Sequence, residues 1–128
     1  MNGDEMHVTP AADAPRFELG GAQFTVQAAP SLGSPGLCTW RLTVPPGHGG
    51  DAPHTLDSDE IFTVLNGSVQ FGPDGDKLGP GDSVVVPAGE PISLTNLGED
   101  KAELIVVITA GFTGYMADGT EVQPPWSK

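Results

Sequence analysis

Hydrophobic and polar residues alternate along several short stretches of this chain, with the period of two that indicates β-strands buried on one face. The clearest case is the stretch 37–44, whose apolar face consists of Cys38, Trp40, Leu42 and Val44. Six further stretches are predicted to contain strands: 17–27, 60–65, 68–71, 83–86, 92–96 and 104–109. No stretch keeps a helical period, so the pattern predicts an all-β fold.

Glycine and proline residues separate these predicted strands at short intervals. The chain has 128 residues, of which 18 are Gly and 13 are Pro, and such a share is typical of antiparallel barrels with many tight turns. The dipeptide Asn66-Gly67 predicts a two-residue hairpin, and further turns are predicted at 73–76 and 78–82. We therefore expect one domain, an antiparallel β-barrel.

The same pattern divides the chain into three parts. Residues 1–15 are polar and interrupted by proline, so they are predicted to form a loose N-terminal arm. Residues 16–112 are predicted to form the barrel, and residues 113–128 a C-terminal tail. Because Trp126 is too apolar for a freely solvated end, we expect the tail to pack on the barrel or on a partner subunit.

The charge of the chain excludes some partners. Seventeen Asp and Glu residues oppose five Lys and Arg residues, which gives a formal net charge of −12. Such a surface repels the phosphate backbone of nucleic acids and anionic membranes. The longest apolar run, 104–108, is also far too short to span a bilayer. We therefore expect neither nucleic acid nor a membrane as a partner.

Cys38 is the only cysteine, so the chain cannot form an internal disulfide. The first ten residues lack the basic start and apolar run of a secretion signal, and a cytoplasmic location is therefore expected. Because the sequence places no basic residue demonstrably beside Cys38 to activate its thiol, we interpret this residue as a buried small hydrophobe.

Two groups of spaced residues stand out from this background. The first group is Gly47, His54, Glu60 and Gly67, and the second is Gly81, Pro87, Gly89 and Asn96. Their spacing resembles the two motifs of the cupin superfamily, G-x5-H-x-H-x3/4-E-x6-G and G-x5-P-x-G-x2-H-x3-N. The resemblance extends over residues 36–110 and implies a cupin-type jelly-roll barrel. It also implies a homodimer, a form common in that family.

In the family, three histidines and one glutamate hold a divalent metal at one end of the barrel. His54 and Glu60 stand at two of these four positions, but Leu56 and Ile92 stand at the other two. Neither Leu nor Ile can coordinate a metal, so no metal is favoured. If a metal is bound, His48 is the favoured additional ligand beside His54 and Glu60, because it lies in the loop that leads to the same end of the barrel.

Other residues are also near enough in sequence to serve as the missing ligands of such a metal site. They are Asp51, Asp57 and Cys38. Mixed sites with few fixed ligands bind metals weakly and unselectively.

Without a metal, His54 and Glu60 are candidates for a general acid and base. A carboxyl group in a dry barrel mouth acquires a raised pKa, and a nearby histidine supplies a partner for proton transfer. Such a pair suits isomerisation, cyclisation or elimination next to a carbonyl group. The structural alternative is that Glu60 only caps a strand and that His54 is an ordinary loop histidine.

The candidate pocket follows from strand alternation around Glu60. Phe62 shares the face of Glu60, and Ile92 and Leu94 share one face of a later strand. Together with Trp40 they are predicted to bind the substrate, although each of them could simply be core. Three functions remain open: a metal-independent isomerase, cyclase or lyase acting on an apolar oxygenated molecule, a non-catalytic binding barrel, and a metal-dependent oxygenase or lyase.

Overall fold

The computed structural model describes residues 5–49, 53–72 and 74–128, which form twelve β-strands and three short 3₁₀ segments without an α-helix. The strands are β1 (Arg16–Leu19), β2 (Ala22–Ala28), β3 (Leu37–Val44), β4 (Thr55–Leu56), β5 (Glu60–Asn66), β6 (Val69–Phe71), β7 (Lys77–Leu78), β8 (Ser83–Val86), β9 (Leu94–Thr95), β10 (Ala102–Thr109), β11 (Gly114–Tyr115) and β12 (Glu121–Val122). The 3₁₀ segments are Ala11–Asp13, Pro30–Leu32 and Pro125–Ser127. The predicted all-β fold is confirmed.

Three antiparallel sheets build the jelly roll. The largest has the strand order β1-β2-β3-β10-β5-β8, and the two smaller sheets have the orders β12-β11-β4 and β7-β6-β9. Two isolated bridges, Gly49 with Thr95 and His54 with Ile92, connect the segment between β3 and β4 to β9 and the residues just before it. In the described part of the chain, no helix has the length and hydrophobicity needed to cross a membrane.

The core lies against the inner face of the six-stranded sheet. The predicted apolar face of β3 is buried as expected from its alternation. Strand β10 lies between β3 and β5 in this sheet. Its residue Val106 pairs with Trp40 of β3 on one side and with Phe62 of β5 on the other. This row places Trp40 and Phe62 on the same face, since directly paired residues in a sheet point to the same side.

The hairpin predicted at Asn66-Gly67 is wrong, because β5 and β6 belong to different sheets. Strand β6 pairs with β7 and β9 instead. Gly67 has a φ of 76°, and a Cβ atom there would lie 2.7 Å from the carbonyl oxygen of Lys101. Glycine is therefore required by a close approach between chain segments as well as by the positive φ.

The other two predicted turns have different outcomes. A turn follows β7, where the Gly79 amide donates to Asp82 Oδ2 at 2.8 Å and the Asp82 amide donates to the Gly79 carbonyl at 3.0 Å. The loop between β6 and β7 joins an antiparallel pair. Pro73, which was predicted to begin that turn, lies outside the described residues.

The end of the chain packs against the first strands of the large sheet. Trp126 stacks on Phe24, with ring centroids 3.8 Å apart and an interplanar angle of 7°. The neighbouring Ser127 carbonyl accepts a weak hydrogen bond from the thiol of Cys38 at 3.5 Å. Cys38 is 0% exposed, so its predicted burial is confirmed. Burial raises the pKa of its thiol. The boundaries of the arm, barrel and tail stay a prediction.

Candidate functional site

One end of the barrel encloses a cavity of about 320 Å³. Its walls come from the inner face of β2, β3 and β5 and from the small sheet β12-β11-β4. Most of the lining side chains are apolar, and two exposed ones, Leu19 and Met116, belong to it. Apart from two tryptophans, its polar side chains among the described residues are His48, His54, Glu60, Ser93 and Tyr115. A cavity of this size can hold a small organic molecule.

The structure brings all the sequence-predicted site residues into the lining of this cavity. They are His54 and Glu60 as the predicted acid and base, and Trp40, Phe62, Ile92 and Leu94 as the predicted pocket. His48 also lines it. Their positions agree with the alternation of the strands, while their roles stay a prediction.

Glu60 is the first residue of β5, where it pairs with Val86 on one side and Ile108 on the other. The residue is only 5% exposed. Within the described part of the chain, no group forms a hydrogen bond or ion pair with its carboxyl group. Burial raises the pKa of Glu60 from 4.5 to about 8, because the charged form loses its hydration without gaining a partner. Glu60 is therefore mostly protonated at neutral pH.

His54 is held by a two-way backbone bridge. Its amide donates to the Ile92 carbonyl at 3.1 Å, and the Ile92 amide donates to the His54 carbonyl at 2.7 Å. Burial lowers the pKa of His54 below 6.5, since desolvation disfavours the imidazolium. At neutral pH the cavity thus presents a neutral imidazole and a protonated carboxyl group.

The indole nitrogen of Trp40 is buried, and the alternation of β3 could not predict its hydrogen bonding. The residue is 3% exposed, and its indole Nε1 has no hydrogen-bond partner in the described part of the chain. Its ring lies 6.4 Å from the ring of Phe112, another lining residue. A period of two indicates that Trp40 points inward, but it does not indicate whether its N–H meets an acceptor.

Several lining residues were missed in the sequence. Phe112, Tyr115 and Val122 lie in short or irregular segments, which carry too few residues to show a period. Trp126 was expected to pack on the barrel or a partner, and it also lines the cavity. Its apolar character near the chain end was the only available signal.

Comparison with known protein families identifies the family to which this fold belongs. Residues 40–108, more than half of the chain, match the profile of a family described as "Cupin domain". The chain belongs to the cupin superfamily. No curated protein sequence matches this cupin.

Solved structures agree on the fold of this cupin. A polyketide cyclase, RemF from Streptomyces resistomycificus, matches with a TM-score of 0.70 at 19% identity, over 82% of this chain and 80% of its own. KdgF from Halomonas sp. matches with a TM-score of 0.68 at 21% identity, over 82% of this chain and 94% of its own. A sugar phosphate isomerase of the cupin superfamily from Silicibacter pomeroyi matches with a TM-score of 0.63 at 23% identity. That match covers 77% of this chain and 66% of the isomerase.

The donor set of this cupin does not fit the metal that the family resemblance implies. Leu56 and Ile92, at the two substituted ligand positions, are buried in the cavity wall. Among the described residues, no group of three His, Cys, Asp or Glu side chains could hold an ion. The ring of His48 lies beside the β1–β2 turn, where a Cβ atom added to Gly21 would be 3.6 Å from His48 Nδ1.

Of the other candidate ligands, the two that the structure describes, Asp57 and Cys38, do not complete a metal site either. Asp57 is exposed, and its carboxylate accepts the Thr113 amide at 2.9 Å. Cys38 does not line the cavity in the described structure. Asp51 lies outside the described residues.

Proposed function

We propose that this cupin is a metal-independent enzyme that moves a proton next to the carbonyl group of a small, largely apolar molecule, as in an isomerisation or a cyclisation. The observation that carries this proposal is the Glu60 carboxyl group, which is buried in an apolar cavity and has no partner among the residues that the structure describes. A structural glutamate at this depth would be expected to accept hydrogen bonds from the protein. A group kept uncharged in a cavity is instead available to a ligand.

The two titratable groups suit opposite roles in this reaction. Neutral His54 accepts a proton from the carbon next to the carbonyl, and the C–H electron pair forms a carbon–carbon double bond. The carbonyl π electrons move to oxygen, which takes the proton of Glu60, so an enol forms. In a ketone with a β,γ double bond, this enol is conjugated with that bond. Return of the His54 proton to the γ carbon, and of the enol proton to Glu60, gives the α,β-unsaturated ketone and completes the isomerisation. Environments that push two pKa values in opposite directions are the usual basis of such assignments.

The charges around the cavity indicate which substrates fit. All five Lys and Arg residues belong to the described part of the chain, and none of them lines the cavity. Arg41, for example, pairs with Glu103 at 3.6 Å, and neither residue lines the cavity. A phosphate group would have no cation to bind, so this cavity offers little to a sugar phosphate.

Proton exchange in deuterium oxide tests the proposal without knowledge of the natural substrate. The probe is 2-tetralone, a neutral bicyclic ketone with exchangeable protons next to its carbonyl group. We expect the protein to accelerate this exchange and Glu60→Gln to reduce the acceleration about a hundredfold, the usual scale for a lost general acid. Glu103→Gln is the matched control, because Glu103 does not line the cavity, and it should leave the rate unchanged.

Two results would contradict the proposal. If Glu60→Gln exchanges as fast as the unchanged protein, the chemistry lies elsewhere. If the protein does not accelerate exchange at all, the cavity belongs to a non-catalytic binding barrel. A homodimer and a cytoplasmic location also stay predictions, and light scattering at micromolar concentration tests the first of them.

A further inference from the structure

Residues 124–128, which we call the strap, lie beside a place where the cavity reaches the surface. Trp126 stacks on Phe24 of β2, with ring centroids 3.8 Å apart, and its ring lies 6.4 Å from that of Phe17 of β1. Leu19, two residues after Phe17 and on the same face of β1, is 63% exposed and lines the cavity. An exposed lining residue marks an entrance, so the strap borders one.

Few bonds connect the strap to the barrel. Its first two residues are prolines, which have no backbone N–H to donate. In the described structure two hydrogen bonds from the barrel reach it. The Ser31 amide donates to the Lys128 carbonyl at 3.2 Å, and the Cys38 thiol donates weakly to the Ser127 carbonyl at 3.5 Å. The attachment of the strap therefore depends mainly on the packing of Trp126.

The strap has open space on both sides. Pro124 and Trp126 line the cavity of about 320 Å³ that contains Glu60. Ser127 and Lys128 line a second cavity, of about 270 Å³. A segment between two voids has fewer packing contacts than one in a filled interior, so less free energy is needed to move it.

We propose that the strap is a movable cover at the entrance of the cavity: Trp126 holds it against Phe24, and its release widens the entrance for a ligand. The inference concerns entry to the site, so it does not depend on the proton transfer proposed for Glu60. Local opening of a weakly attached segment costs less free energy than global unfolding. Opening of such covers governs the rates of ligand entry and release in many enzymes.

Cys38 reports this opening without any substitution. It is the only cysteine and is 0% exposed, and the Ser127 carbonyl that accepts its thiol proton belongs to the strap. A thiol reagent therefore reaches Cys38 only after the structure around it opens. The reagent is uncharged 4,4′-dithiodipyridine, since the net charge of −12 would repel an anionic one. At reagent concentrations where the labelling rate is proportional to the reagent, this rate measures the population of open molecules.

The dependence of the labelling rate on urea distinguishes local from global opening. We expect the rate for the unchanged protein to rise only slightly with urea below the unfolding transition, because opening of the strap exposes little surface. Circular dichroism measures global unfolding for comparison. A labelling rate that rises as steeply with urea as global unfolding does would overturn the inference, since Cys38 would then react only in unfolded molecules.

Two variants separate the strap from the rest of the fold. Trp126→Ala removes the stacking on Phe24, so it should accelerate labelling about tenfold or more, a scale that matches the free energy of an aromatic pair. Phe71→Ala is the control: it removes an aromatic contact with Phe62 at 5.0 Å in another part of the barrel. It should change the rate less than about twofold, because local opening does not depend on that contact. Equal acceleration by both substitutions, or none by Trp126→Ala, would overturn the inference. The urea dependence of the unchanged protein still decides the question if a variant does not fold.

Binding kinetics connect the opening to ligand entry. The probe is N-phenyl-1-naphthylamine, an uncharged aromatic amine whose fluorescence increases in apolar surroundings. We expect Trp126→Ala to raise its association rate constant about threefold or more, because entry no longer waits for the strap to open. Phe71→Ala should leave this constant within about twofold. An unchanged association rate constant in Trp126→Ala, or no binding of the probe to the unchanged protein, would overturn the inference.

Discussion

Two buried polar side chains of this cupin, Asn96 and Glu60, have similar burial and opposite surroundings. Asn96 is 0% exposed and Glu60 is 5% exposed. The Asn96 amide nitrogen donates to the carbonyls of Val44 at 3.1 Å and Asp100 at 2.9 Å, and its oxygen accepts the Gly98 amide at 2.9 Å. In the described structure, Glu60 has no such partner.

The difference separates a structural polar group from one that is available to a ligand. The hydrogen bonds of Asn96 connect the chain after β9 to the end of β3, and they satisfy backbone groups that would otherwise be buried without partners. Glu60 avoids the cost of a buried charge by keeping its proton. Glu60 agrees with the first cupin motif and Asn96 agrees with the second. Agreement with a motif therefore does not distinguish a structural role from a functional one.

The largest effect is expected on metal affinity, when two histidines are introduced beside Glu60 and His54. Leu56→His combined with Ile92→His adds two imidazoles to the cavity that His54 and Glu60 already line. We expect the affinity for Ni²⁺ or Zn²⁺ to rise about a thousandfold or more, because a set of four donors binds far more tightly than two. Isothermal titration calorimetry measures this rise.

The matched control for that experiment is Glu60→Gln in the same double-histidine background. It should lose much of the gained affinity, since an amide is a poorer metal ligand than a carboxylate. Unchanged metal affinity in the double variant would mean that positions 56 and 92 do not converge with Glu60, contrary to the cavity described above.

A smaller effect is expected on stability, when the hydrogen bonds of the Asn96 side chain are removed. Asn96→Leu keeps the approximate size but leaves the buried Val44 carbonyl and the part-buried Asp100 carbonyl and Gly98 amide without this partner. We therefore expect the free energy of unfolding to fall by about 3 kcal/mol. Asn66→Leu is the control: Asn66 is exposed, and its side-chain amide donates a hydrogen bond to Glu103 Oε1 at 3.2 Å. Its substitution should change the stability by about 1 kcal/mol or less. Urea unfolding compares the two, and equal losses would remove the contrast.

The smallest effect is on the stability of Glu60→Gln as a function of pH. The folded pKa of Glu60 lies above its unfolded value of 4.5, so the folded state binds more protons and loses stability as the pH rises from 4.5 to about 8. The lowered pKa of His54 acts with the opposite sign, but only below 6.5.

Between pH 6.5 and 8, Glu60→Gln should therefore gain stability relative to the unchanged protein, by up to about 1.4 kcal/mol per pH unit. Urea unfolding at several pH values measures the difference. A loss of stability at neutral pH would show that Glu60 is a structural hydrogen-bond acceptor like Asn96.

Local patterns in the sequence predicted much of this fold but not its long-range contacts. The alternation of β3 identified its buried face, and motif spacing placed His54 and Glu60 in one cavity. The Asn66-Gly67 hairpin was wrong, because a turn dipeptide does not say which strands pair across it. The lack of a partner for the Trp40 N–H among the described residues and the contribution of Phe112 depend on contacts between segments far apart in sequence, so neither could be predicted.

The pKa of the Glu60 carboxyl group tests the central claim most directly. In a ¹³C-labelled sample, the side-chain carboxyl signal of Glu60 is identified by its absence in Glu60→Gln and then followed from acidic to alkaline pH. We expect a midpoint of about 8, with the group protonated at neutral pH. A midpoint near 4.5, the ordinary value for glutamate, would show that Glu60 is ionised and partnered, and would contradict its role as the proton donor of the cavity.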